Sequence, residues 1–305
     1  MRQHTILSLL ILFFFHQPYR VGSQTYNLSV PVDEIVLTFH VSDPRGLSIA
    51  DLKLEDLHLL DNGQLPRKIL SFTATQDRPI RAGILLDTSD SMTYAASGNR
   101  ALATRYIQHL LEQQADQAFT VKFAFQSEIT QPWTANNAAL TSGLNRFVSV
   151  RSRPGTAVFD TIYRACLNQF AHTTSPDTAN FILLFSDGED NASRSTLKDA
   201  VDICQHTNTA IYAVRARTAA ALSSGITTLS DLTSQTGGRI LYADDSDAQV
   251  LPDVRAIEAD LRNQYQLIYR PASLTHDGSF HRIELTTPRR EAAITVRSGY
   301  YAPWR

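Results

Sequence analysis

Cysteine, tryptophan and methionine each occur only twice in the 305 residues. Two cysteines, Cys166 and Cys204, allow at most one internal bridge. There is no Gly-x-Ser-x-Gly elbow, no His-Glu-x-x-His and no glycine-rich loop of the kind that cradles phosphate, which removes the corresponding hydrolase, zinc-protease and nucleotide readings. The nine histidines are scattered; His109, His172 and His206 sit in or beside helical patterns, as surface residues rather than ligands. Basic blocks with interleaved aromatics are also missing. The formal net charge is −2, and Met1–Ser23 carry Arg2 and Arg20 but no acid, so the remainder has 26 basic and 30 acidic residues, a net −4. That balance argues against a nucleic-acid partner. No apolar stretch reaches the roughly twenty residues that span a bilayer.

What is present begins with a targeting segment. Arg2 and the α-amine give a basic start, Ile6–Phe15 is almost wholly apolar, Pro18 breaks the run, and Val21-Gly22-Ser23 supplies small residues for cleavage. The expectation is an exported protein, periplasmic or secreted, that begins near Gln24 and has no stable membrane span.

A β-rich piece follows. Ile35, Leu37, Phe39 and Val41 alternate as in a half-buried strand. Asn62-Gly63 lies between His58-Leu59-Leu60 and Lys68-Ile69-Leu70 and predicts a tight turn, while Pro66 predicts an edge strand. From Arg81 onward strands alternate with helical patterns, as in a doubly wound sheet. Ala103, Ile107, Leu110 and Leu111 share a helical face. So do Leu140, Leu144, Phe147 and Val148, and so do Leu197, Ala200, Val201 and Cys204, with Ser195 or Thr196 as cap. Phe119–Phe125 alternates as a strand with Gln131–Thr134 as its hairpin partner, Ala210–Val214 and Ile240–Ala243 are further strands, and Asp247–Asn263 is the closing helix. Beyond it the β pattern returns at Tyr265–Tyr269, Phe280–Leu285 and Ala293–Arg297.

The chain is organised around Gly83-Ile84-Leu85-Leu86-Asp87-Thr88-Ser89-Asp90-Ser91-Met92. A short unbroken apolar run reads as a strand buried on both faces. It ends in Asp-x-Ser-x-Ser, one carboxylate and two hydroxyls at alternate positions, where open α/β sheets bind ligands. One acid with two neutral oxygens suits a hard divalent cation. A polar turn capping the next helix fits equally well, so both readings stay open on this stretch alone. Two more stretches add to it: Arg153-Pro154-Gly155-Thr156-Ala157, a threonine in a loop that opens a helix, and Phe181–Gly188, a second buried strand ending at Asp187.

With these three motifs in register, the chain resembles a von Willebrand factor type A domain with a metal-ion-dependent adhesion site. The resemblance implies that Asp87, Ser89, Ser91, Thr156 and Asp187 surround one cation, magnesium or else manganese or calcium. Ser89, Ser91 and Thr156 would be direct ligands, with Asp87 and Asp187 acting largely through bound water. Asp90 stands where the family usually has glycine, which bears on cation preference. The tail from Gln264-Tyr265-Gln266-Leu267 to Gly299-Tyr300-Tyr301-Ala302-Pro303 and the stretch Gly46–Gly63 resemble the secreted bacterial (acidobacterial-type) group of such proteins. The implied fold is a doubly wound, mostly parallel α/β sheet flanked by helices. It is inserted into a small all-β sandwich made by the amino- and carboxyl-terminal segments. The parts are a signal peptide at 1–23, a β segment at 24–78, the type A domain at 79–263 and a second β segment at 264–305.

The implied function is a non-enzymatic adhesion or interaction module whose cation coordinates a Glu or Asp of a partner protein. A metal-dependent phosphohydrolase would also place an aspartate after a buried strand, but it needs a second acid two residues on, where this chain has Ser89. A structural element of a cell-surface assembly with an unused metal site is the third reading. Glu189 and Asp190 follow Asp187 closely, yet no activated nucleophile accompanies them, and a solvated acidic loop is expected. Cys166 and Cys204 fall on apolar helix faces aimed at the sheet. With neighbouring helix axes about 8–10 Å apart, two buried free thiols are expected rather than a bridge, whose Cα atoms must lie within roughly 7 Å.

Overall fold

The structure, a computed structural model, describes residues 34–93, 95–146, 153–171, 178–215, 223–242 and 247–303. The expected signal segment 1–23, Phe147, Val148, His172 and Ala243 lie outside the described residues.

Three strands come first: β1 (Ile35–Ser42), β2 (His58–Asp61) and β3 (Lys68–Thr75). The α/β part then runs β4 (Ile80–Asp87), α1 (Ala96–Leu110), β5 (Gln117–Phe123), β6 (Ser127–Thr134), α2 (Asn137–Asn145) and α3 (Val158–Ala165), the last continued by a π-helical turn at Cys166–Phe170. It goes on through β7 (Ala179–Ser186), α4 (Leu197–His206), β8 (Thr209–Arg215), α5 (Ser223–Thr236), β9 (Ile240–Leu241) and α6 (Asp247–Arg262). Four strands close the chain: β10 (Gln264–Arg270), β11 (Phe280–Thr286), β12 (Ala293–Val296) and β13 (Gly299–Tyr301).

The central sheet has the order β6-β5-β4-β7-β8-β9, and all its pairs are parallel except the β5–β6 hairpin. Every residue of β4 and β7 is buried, as their unbroken apolar runs require for strands covered on both faces. Side chains of alternate parity serve the two faces. Ile84, Leu86, Phe181, Leu183 and Phe185 meet α1, α2 and α6, whereas Leu85, Phe119, Val121, Ile182 and Leu184 meet α3, α4 and α5. The chain leaves β4 towards β5 on one side and returns to β7 on the other. The carboxyl end of β4 is therefore the point where the strand order reverses.

The terminal strands form two antiparallel sheets, ordered β12-β1-β10-β3 and β13-β11-β2. Each mixes both ends of the sequence: Leu37 pairs with Leu267 in one, and Asp61 with Ile283 in the other. Leu37, Phe39, Val41, Leu59, Leu267, Ile283 and Leu285 fill the single core between them. Neither segment could bury this much apolar surface alone. Asn62 and Gly63 do take positive φ, 49° and 73°, and make the predicted turn. The strands flanking it, however, go to different sheets, and the isolated bridge from Asp61 to Gln64 closes only the turn. Pro66 precedes β3, which is an edge strand.

The thiol expectation is overturned. Cys166 and Cys204 are joined by a disulfide with a Cα–Cα distance of 5.3 Å. Helix axes about 8–10 Å apart still bring facing Cα atoms within bonding range, because each Cα stands about 2.3 Å off its own axis. The limit of roughly 7 Å applies to the facing Cα atoms and not to the helix axes.

Candidate metal centre

The five predicted ligands sit on three segments at one end of the sheet: Asp87, Ser89 and Ser91 at the end of β4 and just beyond it, Asp187 just after β7, and Thr156 in the loop that opens α3, which is tied to the end of β5. Asp87 ends β4 and is 1% exposed. Its Oδ1 accepts the Ser89 N–H at 2.9 Å, and its Oδ2 accepts the Ser186 hydroxyl at 2.7 Å. Burial pushes this carboxyl up from 3.8 to about 6; the bonds from Ser89 and Ser186 oppose the rise, and the charge of Asp187 adds to it. A buried carboxylate raised in this way gains from a nearby cation.

Ser89 is buried and Ser91 exposed, at either side of Asp90 in a 3-10 turn spanning Asp90–Met92. Their Oγ atoms lie 3.2 Å apart. Adjacent ligands of an octahedral ion at 2.0–2.1 Å are separated by about 2.9 Å, so the two hydroxyls suit neighbouring positions on one small divalent ion.

Thr156 is 5% exposed and is held by its backbone rather than by its side chain. Its N–H donates to Asn191 Oδ1 at 2.8 Å, and its carbonyl accepts the N–H groups of Asn191 and Ala192, each at 3.1 Å. The next residue, Ala157, donates to the Ala124 carbonyl at 2.8 Å. The threonine loop is thereby stitched both to the end of β5 and to the loop after β7. Its hydroxyl makes none of these bonds.

Asp187 follows β7, is 8% exposed, and accepts the Glu189 N–H on Oδ1 at 3.1 Å. Gly188 has φ +82°, and a Cβ there would come within 2.3 Å of the Gly225 carbonyl oxygen. Glycine is what this crossing of the Asp187 loop and α5 requires.

Glu189 and Asp190 are not a freely solvated acidic loop. Glu189 Oε1 accepts the Gly225 N–H and the Ser224 hydroxyl, both at 2.8 Å, at the start of α5. Asp190 Oδ2 accepts the Phe159 N–H at 2.9 Å and the Ser193 hydroxyl at 2.6 Å, at the start of α3. Each satisfies amide donors that a helix amino terminus leaves unpaired. Sequence reasoning also missed Ser186 and Asn191. The first was visible as the residue before Asp187, but nothing in the sequence aimed its hydroxyl across to β4.

Among the described residues, no three His, Cys, Asp or Glu side chains converge as a metal cluster. A cation at this end of the sheet would rest on three hydroxyls and two carboxylates, a hard oxygen set suited to magnesium or manganese. Beside Ser89 opens a cleft of about 240 Å³, lined also by Asp90, Ala124, Arg153, Pro154 and Gly155.

The family model described as the von Willebrand factor type A domain matches residues 83–256, more than half of the chain. No curated protein sequence matches it. Among solved structures, proximal thread matrix protein 1 from the mussel byssus is similar at 16% identity and a TM-score of 0.47, over 61% of this chain and 49% of that one. This chain thus spans about half of the mussel protein's length. A further structure of that protein has a zinc-occupied MIDAS motif. BatB from Bacteroides thetaiotaomicron is similar at 15% identity and a TM-score of 0.47, over 59% of this chain and 97% of that one. The SpRpn10 VWA domain is similar at 14% identity and a TM-score of 0.42, over 58% and 93%.

Proposed function

Since the chain belongs to the von Willebrand factor type A family, we propose that it is a non-enzymatic protein-binding module. Asp87, Ser89, Ser91, Thr156 and Asp187 hold a divalent cation, and the cation captures a Glu or Asp side chain of a partner protein. The observation that carries this reading is the meeting of two hydroxyls, 3.2 Å apart, with a buried Asp87 whose carboxyl is pushed up to about 6. Neutral hydroxyl ligands leave a bound ion electrophilic towards a further carboxylate oxygen. Asp87 and Asp187 supply the balancing charge. Magnesium is the expected ion, with manganese as a working substitute.

We also propose that the protein is exported, with cleavage after Ser23. The Cys166–Cys204 bridge supports that reading, because disulfides persist in oxidising compartments. Among the described residues no helix is long and apolar enough to cross a membrane. The same reading divides the chain into a β segment at 24–78, the type A domain at 79–263 and a β segment at 264–305.

Calorimetry of the full chain with magnesium and manganese tests the centre of this proposal. Capture of partner proteins, with ion and then with chelator, tests its purpose. Binding of neither ion, or equal capture in chelator, would refute it.

A further inference from the structure

The cleft beside the metal centre carries an unusual charge pattern. Asp90 lines it, and the buried Asp87 and Asp187 belong to the metal centre beside it, so a divalent ion there answers only two of three carboxylates. An incoming partner carboxylate therefore meets a centre of net charge −1. The charges of Glu189 and Asp190 are met locally by the amide donors at the starts of α5 and α3.

Of the residues that line this cleft, one is a cation. Arg153 lines the same cleft as Ser89 and Asp90. Its guanidinium carbon lies 5.5 Å from the centroid of the Phe125 ring, which gives the planar group a shelf. No carboxylate pairs with Arg153 among the described residues, and Asp90, which shares the cleft, forms no ion pair with it. A guanidinium offers paired N–H donors that match a carboxylate in two parallel bonds. The cleft, at about 240 Å³, has room for a side chain.

We propose that Arg153 is a specificity-determining residue that binds a second carboxylate of the partner, beside the one taken by the cation. The recognised chemistry is then an acidic pair close together in one segment, rather than a lone Glu or Asp. This rests on the metal-dependent reading above. Arg153 brings the charge of the loaded centre back to zero before the partner arrives, and it selects against segments that place a basic residue next to the coordinating acid.

The test is a displayed library of random seven-residue peptides, panned on the immobilised full chain in manganese and eluted with chelator. Wild-type protein should enrich peptides with two acidic positions within about four residues. Arg153→Glu should enrich peptides in which one acid is replaced by Lys or Arg, with its melting temperature unchanged as a control for folding. A synthetic diacidic winner should bind wild type at least tenfold tighter than its version with the second acid changed to the amide. Arg153→Glu should erase that difference. If wild type and Arg153→Glu enrich the same peptides with a single acid, Arg153 has no such role while the metal-dependent reading stands. If wild type enriches nothing that chelator releases, the metal-dependent reading fails and this inference goes with it.

Discussion

Ser186 donates its hydroxyl to Asp87 Oδ2 across 2.7 Å, linking the ends of the two central strands beneath the proposed metal centre. The bond holds in place a carboxylate that burial disfavours. Asp87 therefore costs the metal-free fold stability. Above about pH 6 it is charged in both folded and unfolded chains, and the folded one bears the cost; as pH falls from 6 towards 3.8 the cost disappears.

Asp87→Asn should consequently raise the melting point of the metal-free protein at pH 7.5. The ceiling is ~3 kcal/mol, at 1.36 kcal/mol for each tenfold change in proton affinity. The same variant should lose the magnesium-induced rise expected of wild type. Thermal melts with and without magnesium measure both. A drop in the metal-free melting point would contradict the account of Asp87.

Thr156→Ala removes a hydroxyl that no described hydrogen bond uses, while the backbone bonds to Asn191, Ala192 and Ala124 remain. Its metal-free melting temperature should match wild type within a degree or two, and its manganese affinity should fall at least tenfold. Calorimetry with manganese decides the second point. Unchanged affinity would remove Thr156 from the ligand set.

The bridge between Cys166 and Cys204 closes a loop with a sequence separation of 38. Constraint of the unfolded chain by such a loop is worth about 4 kcal/mol. Denatured, unreduced protein should therefore take up no thiol label, and reduced protein two. Replacing both cysteines by serine should lower the melting temperature by several degrees. Two labelled thiols before reduction would overturn the bridge.

His40, 2% exposed, lies within 2.6 Å of the Asn263 carbonyl through Nδ1 and lines a cavity of about 30 Å³ with Asp260 and Gln264. Burial holds its pKa below 6.5; the Asn263 carbonyl opposes that shift and Arg239 adds to it. A depressed histidine contributes stability above its unfolded value that is lost as pH falls below about 6.5. His40→Asn should keep a donor to Asn263 and shrink the difference in melting temperature between pH 7.5 and 5.5. An unchanged difference would mean that other groups set the acid sensitivity.

Much of this architecture was legible in the sequence because buried strands declare themselves locally. The runs at Gly83–Leu86 and Phe181–Phe185 have no polar residue, and Ile35, Leu37, Phe39 and Val41 are apolar at every second position, so β4, β7 and β1 followed directly. The resemblance carried three loops to one end of the sheet, and that is where the structure puts them. What stayed hidden depends on distances between elements remote in sequence. The turn at Asn62-Gly63 is local and was legible, but the separation of β2 and β3 into two sheets is decided by β10 and β11, two hundred residues later. Glu189 and Asp190 look like any acidic loop until the first turns of α3 and α5 are placed beside them. Cys166 and Cys204 needed the lateral spacing of two helices, which periodicity does not encode.

The pairing of Ile35 with Tyr269 has a consequence for the order of folding. During synthesis the first strand waits for a partner that emerges more than two hundred residues later, and the second sheet cannot close until Gly299–Tyr301 has appeared. The central α/β unit has all its strands by then. It is expected to fold first and so bring the two ends together, replacing a long loop closure by a short one. A chain cut short just before Gln264 would leave β1 as an unpaired edge and invite association with other copies. Completion of the last forty residues is thus also what protects the first ones.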